Sequence, residues 1–500
     1  MMFNLITASG GKRILYKPLS ISLKYLIDEK KLNKSFENLL RVSNLKLSEL
    51  QKQNFLSKDG SEIRISNFNG KPDELIISKI KIDGKFSVDY FRNHLAGLIQ
   101  NLENEKVKNL HIFIPKYDYF KKYFDDEEYY YRSFIEGIYL GNYSFDKYLK
   151  QKKSQRELEV YFYTDDERKL KSAISKSLNV IEGVSFAKDL QNEPSNVLTP
   201  AELASRISIT LKSAGINVKV FDEKEIKRRK MGAVLAVGKG SANPPRFIIL
   251  EYNGALRGKS KKKIALVGKG VTFDSGGISI KPSAHMSEMK ADMSGAAVVA
   301  GVILATAKSK LPVNVIGIIP AVENMPSQKS YKPGDIVLTS SGKSIEIEDT
   351  DAEGRVILSD ALEFASKAKP DVIIDLATLT GAVVVALGEF VAGLFTNNDK
   401  LSDELYMTGM KTYDRLWRLP LWDDFNYQIK SDVADVKNLG RRWGGAITAA
   451  KFLEKFVDKN IAWAHLDIAG PAIANDFNNY TKKYMTGFGV RLLFEYLSGN

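Results

Sequence analysis

Residues 349–355 read Asp-Thr-Asp-Ala-Glu-Gly-Arg, three carboxylates within seven positions, just ahead of an amphipathic stretch. Carboxylates this close repel one another unless cations or protons neutralise them. Hard divalent metals are the usual cations for oxygen ligands. A fold that contains this segment must either leave it in water as an acidic surface turn or wrap it around a counter-charge. Asp351 and Glu353 lie two apart, so on an extended backbone both side chains project from one face. Gly354 leaves room for a close approach. Taken alone, so short a motif matches by chance and does not choose between the two.

A second cluster precedes it. Ile264–Gly268 reads as a short buried strand. It runs into Lys269-Gly-Val-Thr-Phe-Asp274-Ser-Gly-Gly277, then Lys281-Pro282, then Met289-Lys-Ala-Asp292-Met-Ser-Gly295. In open α/β sheets ligands bind in the crevice at the carboxyl ends of strands, which is where Lys269 and Asp274 fall. Gly276-Gly277 marks a turn that something approaches closely. Ser294 is placed to cap a buried helix running to about Ala307. The candidate ligands are therefore Asp274, Asp292, Asp351 and Glu353, with Lys269 and Lys281 beside them. Four carboxylates balance two divalent ions, and a two-metal site activates water and polarises a carbonyl. A lysine joins such a site as a ligand only when its amine is neutral. A second, charged lysine would stabilise a developing oxyanion. The alternative is ordinary ion pairing in a loop cluster.

The chain has no cysteine, which excludes disulfides, thiolate zinc sites and cysteine nucleophiles. None of its four histidines forms H-E-x-x-H, and G-x-S-x-G is absent, so gluzincin and serine-hydrolase chemistry of those types is excluded. His465 is expected to pack at a strand end, and His285 to lie in a solvated loop. No run reaches the roughly 18 consecutive apolar residues of a membrane helix, and Met1–Gly10 is too short and polar for a secretory core. A cytoplasmic protein with no membrane partner is expected. The net charge of +13, with basic runs at Lys227–Lys230 and Lys259–Lys263, is read first as solubility and second as a nucleic-acid surface.

Five hundred residues suggest at least two domains. Residues 1–165 alternate short apolar runs (Glu74–Ser78, Leu110–Pro115) with helical patterns (Val88–Leu102, Arg132–Leu140), an α/β domain. The tract Tyr117–Tyr131 is expected as a loop or an exposed helix start. Residues 166–190 form a linking helix, and 191–500 a catalytic domain in which strand and helix alternate. Its clearest strands are Asn217–Phe221, Phe247–Tyr252, Ile264–Gly268, Val313–Pro320 and Val372–Leu376. Thr199 is placed to cap a helix beginning at Pro200.

The segments Val267–Gly277, Met289–Ala297 and Asp349–Arg355 resemble the leucyl aminopeptidase (cytosol aminopeptidase) family, peptidase family M17. So do Asp375–Ala382, Ser431–Asp435, Gly444–Ala450 and Ala464–Gly470. The likeness spans roughly residues 180 to 495 in consistent order. It implies a smaller N-terminal α/β domain, a larger catalytic domain with a mixed central sheet flanked by helices, and a homohexamer. It implies two divalent ions per subunit (Zn2+ or Mn2+, with Mg2+ or Co2+ as alternatives), Asp274 and Glu353 bridging them. Lys269 and Asp292 would complete the tighter site, and Asp351 the more exchangeable one. Lys281 would be the electrophile beside the scissile carbonyl, and Arg355 would hold a bicarbonate ion acting as general base. Met289, Thr378, Gly381 and Ala469 would line the pocket for the first side chain, and Leu379 and Gly381 would meet substrate through the backbone. The implied reaction is removal of leucine-like N-terminal residues from peptides. Asp349, where the family usually has Asn, and Pro471-Ala472, where animal relatives often carry Met at the second position, depart from the pattern; the smaller Ala472 would widen the pocket. A nucleic-acid-binding protein and another two-metal hydrolase, such as a phosphoesterase, are the competing functions.

Overall fold

The computed structural model describes residues 2–9, 20–28, 32–42, 45–66, 73–83, 86–102, 107–150, 157–255, 262–474, 480–481 and 484–499. Lys259, Ser260 and Lys261 of the second basic run lie outside them. The chain divides into compact units Met1–Leu178 and Asn179–Asn500, and the helix Glu167–Asn192 crosses that division.

In the first unit six strands form one sheet in the order Met2–Ser9, Glu157–Thr164, Asn109–Phe113, Ser20–Asp28, Glu74–Lys81, Glu62–Ser66. All neighbours are parallel except the last pair. Glu74–Lys81 is buried along its whole middle, as a strand covered on both faces must be. The Tyr117–Tyr131 tract forms a short 3-10 turn, Tyr117–Tyr119, and then the start of the helix Glu127–Asn142. That start is not exposed: Tyr129, Tyr130 and Tyr131 are buried, and Asp126 caps the helix by accepting from the Tyr129 N–H at 2.5 Å.

The second unit is built on a nine-stranded mixed sheet. Its order is Leu416–Arg418, Ala392–Thr396, Ala462–Asp467, Val372–Ala377, Lys263–Gly268, Asn314–Asn324, Arg246–Asn253, Asn217–Phe221, and Gly270–Asp274 pairs alongside Asn314–Asn324. The central strands Ala462–Asp467, Val372–Ala377, Lys263–Gly268 and Asn314–Asn324 are mutually parallel. Val372–Ala377 is buried at every position. The polar Asp375 is tolerated there because its carboxylate accepts from Trp463 Nε1 at 2.7 Å and faces His465 Nδ1 at 2.6 Å. His465 is thus a packed strand residue, and His285 stands exposed in a turn, paired with Glu288. Thr199 caps Pro200–Ser213 by accepting from the Glu202 N–H.

The helix Ser294–Lys308 (Ser-Gly-Ala-Ala-Val-Val-Ala-Gly) runs against this sheet and is buried from Ser294 to Ala307. Its cap is Met293, not Ser294, whose hydroxyl donates to the Ala291 carbonyl at 2.5 Å. By length and composition Met286–Lys308 could cross a bilayer, yet 89% of its apolar window is buried in the fold, so it serves as the core helix. It meets Glu167–Asn192 at Gly183 and Gly301: a Cβ on Gly301 would lie 2.5 Å from the Gly183 carbonyl oxygen. Backbone cannot give way as a flexible side chain can. Gly301→Val is therefore expected to cost about 1–3 kcal/mol, read as a lower urea midpoint; an unchanged midpoint would show that the crossing is looser than described.

Candidate metal centre and catalytic cavity

The parallel strands deliver the site. Lys269 follows Lys263–Gly268, Asp274 ends Gly270–Asp274, Thr378 follows Val372–Ala377, and Asp467 ends Ala462–Asp467. These carboxyl ends open one crevice. Asp351 stands in a turn, and Glu353 is the first residue of the helix Glu353–Lys367. The backbone between them is therefore not extended: Ala352 has φ −98° and ψ 36°. One side chain comes from a turn and the other from a helix N-terminus, where a carboxylate is stabilised by the helix dipole. Even so, ligand oxygens of Asp274, Asp351 and Glu353 lie within 4.8 Å of one another.

Two lysines neutralise this cluster. Lys269 Nζ lies 2.8 Å from Asp292 Oδ2 and 2.8 Å from Glu353 Oε1, and donates to the Thr378 carbonyl at 3.0 Å. Lys281 Nζ lies 2.8 Å from Asp274 Oδ2 and 2.5 Å from Asp351 Oδ1. Asp274, Asp292, Glu353 and Lys269 are buried, and Asp351 is half-buried. Burial opposes charge on both lysines, but the surrounding carboxylates outweigh it and hold both ammonium groups well above the usual lysine range. Burial, with repulsion from neighbouring carboxylates, pushes Asp292 and Glu353 up. Burial and Asp274 push Asp351 up to about 7. Arg355 is driven down to about 10 by burial, against the pull of Glu353, Asp467 and Asp349.

Neutral donors hold the loops in place. Thr350 Oγ1 donates to the Gly276 carbonyl at 2.6 Å and accepts from the Ser279 N–H at 2.8 Å, tying the two acidic segments together. Asn324 Nδ2 donates to Asp274 Oδ1 at 2.8 Å and to the Thr350 carbonyl at 2.9 Å, which the Tyr331 hydroxyl also reaches at 2.9 Å. Gly276 and Gly277 both have positive φ, and a Cβ on Gly277 would sit 2.7 Å from Asn324 Oδ1. On Gly354 it would sit 2.5 Å from Lys269 Cε, so the close approach expected at Gly354 is that of the Lys269 side chain. Asp349 Oδ1 accepts from the Asp351 N–H at 2.8 Å, a turn bond that an Asn oxygen would make equally well.

All twelve residues singled out from the sequence, Lys269, Asp274, Lys281, Met289, Asp292, Asp351, Glu353, Arg355, Thr378, Leu379, Gly381 and Ala469, line one cavity of about 570 Å³. Thr378 Oγ1 donates to Asp292 Oδ1 at 2.7 Å, and the Leu379 N–H to Asp467 Oδ1 at 3.1 Å. Ala472 does not widen it: that residue is fully buried away from the cavity, and the neighbouring Ile473 lines the wall. Asn324, Tyr331, Asn438 and Asp467 were not singled out. Asn324 and Asp467 had a detectable signal, since each closes a strand at the crevice.

The donor set fits divalent cations. Asp292 Oδ2, Asp351 Oδ1 and Glu353 Oε1 are buried oxygens that no donor meets in hydrogen-bond geometry; each faces only a lysine ammonium. Buried carboxylate oxygens clustered this way, balanced only by ammonium charge, suit a hard cation. Sheet and cavity together define a metal-dependent hydrolase of the α/β class. The profile of the cytosol aminopeptidase family's catalytic domain matches residues 185–494. A probable cytosol aminopeptidase of Persephonella marina is 43% identical over 486 residues, 96% of each chain. One of Aquifex aeolicus is 44% identical over 448 residues, 89% of this chain and 88% of that one. A mutant of tomato leucine aminopeptidase superposes with TM-score 0.85 at 30% identity, covering 100% of this chain and 97% of the other. The bottromycin maturation enzyme BotP in complex with Mn gives 0.82 at 31%, covering 97% and 99%. The chain belongs to the cytosol aminopeptidase family, peptidase family M17, whose members are metal-dependent exopeptidases.

Protons and cations compete for Asp351. Its carboxyl is pushed up from 3.8 to about 7, so the metal-free protein gains stability from this proton below pH 3.8 and loses it as pH rises through about 7. Cation binding must displace the proton below about 7. Calorimetric titration of metal-free protein with Mn2+ is expected to show weaker binding and more proton release at pH 6 than at pH 8. Equal affinity and no proton release at both would contradict the placement of Asp351.

Proposed function

We propose that this cavity removes leucine-like residues from the N-termini of peptides, with two divalent ions per subunit held by Lys269, Asp274, Asp292, Asp351 and Glu353. The observation that carries the reading is the buried acidic cradle, its oxygens met only by lysine ammonium groups and not by hydrogen-bond donors in good geometry. When bound, such ions supply Lewis acidity that polarises a carbonyl and acidifies water. Asp274 and Glu353 would be shared between the two ions, Asp292 would serve the tighter site and Asp351 the more exchangeable one. Lys269 would join the tighter site as a neutral amine, giving up to solvent the proton that the metal-free carboxylates hold on it. Binding of a cation would relieve the repulsion that raises Asp292, Asp351 and Glu353. Zn2+ and Mn2+ suit the donors, and Mg2+ or Co2+ would also fit.

The remaining residues position and stabilise. Lys281, half-buried and charged, would hold negative charge developing on the scissile carbonyl oxygen. Arg355 donates one Nη1 bond, to the Asn438 carbonyl at 2.9 Å, while its buried Nε has no partner. That unspent donor fits a small planar anion, and bicarbonate held there would supply a general base. Thr378 orients Asp292 through its hydroxyl. Gly381 opens a helix with nothing within 4 Å of where its Cβ would be, which leaves space for a branched first side chain. Met289 and Ala469 complete that wall, and Leu379 offers main chain beside it. A homohexamer in the cytosol completes the reading, supported by the family likeness and the relatives' names.

Glu353→Ala assayed on leucine p-nitroanilide with Mn2+ or Zn2+ is expected to lose at least about 100-fold in kcat/KM, since losing even an outer partner of a ligand costs 10–100-fold. Cleavage at the wild-type rate would refute the ligand assignment. Lys281→Ala is expected to lower kcat by about 100- to 1,000-fold with metal content unchanged; retained kcat would remove Lys281 from the reaction. Light scattering is expected to show a particle of six 55.9 kDa chains, and a monomer would contradict the assembly.

A further inference from the structure

Arg441 lines the same cavity as the acidic cradle, and it differs from the other cations there. Lys269 and Lys281 are committed to carboxylates, and Arg355 is buried against the Asn438 carbonyl. Among the described residues Arg441 has no carboxylate within ion-pair distance. Its guanidinium lies over the Tyr427 ring, 5.5 Å from the centroid, and its main-chain N–H donates to Gln428 Oε1 at 3.1 Å. Backbone and ring thus position the head group, and its N–H donors remain available. Glu288, Asp349, Glu389 and Leu439 line the same cavity. Among the described residues Arg355 also lacks a carboxylate partner, but it is buried, whereas Arg441 is exposed at the cavity. An accessible guanidinium without a carboxylate partner marks where a ligand's negative end is accepted.

Its place in the cleft says which end. Asn438 Nδ2 donates to the Asp349 carbonyl at 2.7 Å, and the Asn438 carbonyl accepts from Arg355. The segment 438–441 therefore belongs to the wall that carries Asp349 and Arg355. Met289, Gly381 and Ala469, which the proposed function assigns to the first side chain, come from other segments. A peptide whose amino end sits in the cradle extends its leaving half along the remaining wall. We propose that Arg441 binds the C-terminal carboxylate of di- or tripeptide substrates, so that the enzyme favours short peptides with a free carboxyl end. This rests on the proposed placement of the first side chain.

The test compares wild type, Arg441→Ala and Arg441→Lys on leucyl-glycine and leucyl-glycyl-glycine and on the corresponding C-terminal amides, with Mn2+ present. The ratio of kcat/KM for acid over amide is expected to fall about tenfold in Arg441→Ala at one or both lengths, through KM, as for the loss of one charged hydrogen bond. It is expected to recover partly in Arg441→Lys and to shrink in wild type at high salt. A ratio that is the same in wild type and Arg441→Ala at both lengths overturns the proposal, as does an equal loss on acids and amides. Cleavage of the amides by wild type tests the aminopeptidase reading separately, because they carry the amine and the scissile bond without the carboxylate.

Discussion

Electrostatic repulsion among Asp274, Asp292, Asp351 and Glu353 is the constraint on which the catalytic unit depends. Burying even one unpaired carboxylate is costly, and here three are fully buried and one half-buried. Two lysine ammonium groups offset that repulsion, each shared between two carboxylates. Paired charges in a protein interior roughly break even at best against desolvation, so the cluster is not a stabilising device. Its cost is offset by the large apolar sheet beneath it and would be relieved by a bound cation.

The sheet makes such a cluster possible by bringing several parallel strand ends to one edge. Strands buried on both faces fix the register, and the register sets where each loop leaves. Close packing then matters. Lys269 reaches Asp292 and Glu353 because Gly354 leaves space beside its aliphatic stem, and Gly295 lets the next helix pack close to the strand ends, where a Cβ would lie 2.1 Å from the Leu376 carbonyl oxygen and 2.8 Å from the Lys269 main-chain nitrogen. Thr350 and Asn324 add direction, since their neutral hydrogen bonds tie segments some 50 to 75 residues apart. Chemistry and fold are joined at these contacts.

Much of this was legible in the amino-acid order. The acidic ligand candidates stand in Gly-rich segments next to apolar strands, a pattern that few folds tolerate without a counter-charge. The family likeness extended that reading to the cavity walls. The extended geometry imagined for Asp351 and Glu353 was not legible correctly, because the turn at Ala352 is set by Asp349 accepting the Asp351 N–H and by Asn438 holding the loop from almost 90 residues away. Ser294 has the composition of a cap, but its hydroxyl turned back to Ala291. Ala472 was misplaced because its neighbour Ile473, not Ala472, faces the cavity. Tyr331 and Asn438 carried no local signal, since their roles exist only through distant contacts.

The most direct measurement is anomalous diffraction from crystals soaked in Mn2+. The account predicts peaks inside the cradle, with Asp274 and Glu353 contacting both ions and Asp351 contacting one. No peak under saturating Mn2+, or peaks bound elsewhere with the lysine–carboxylate pairs intact, would contradict it.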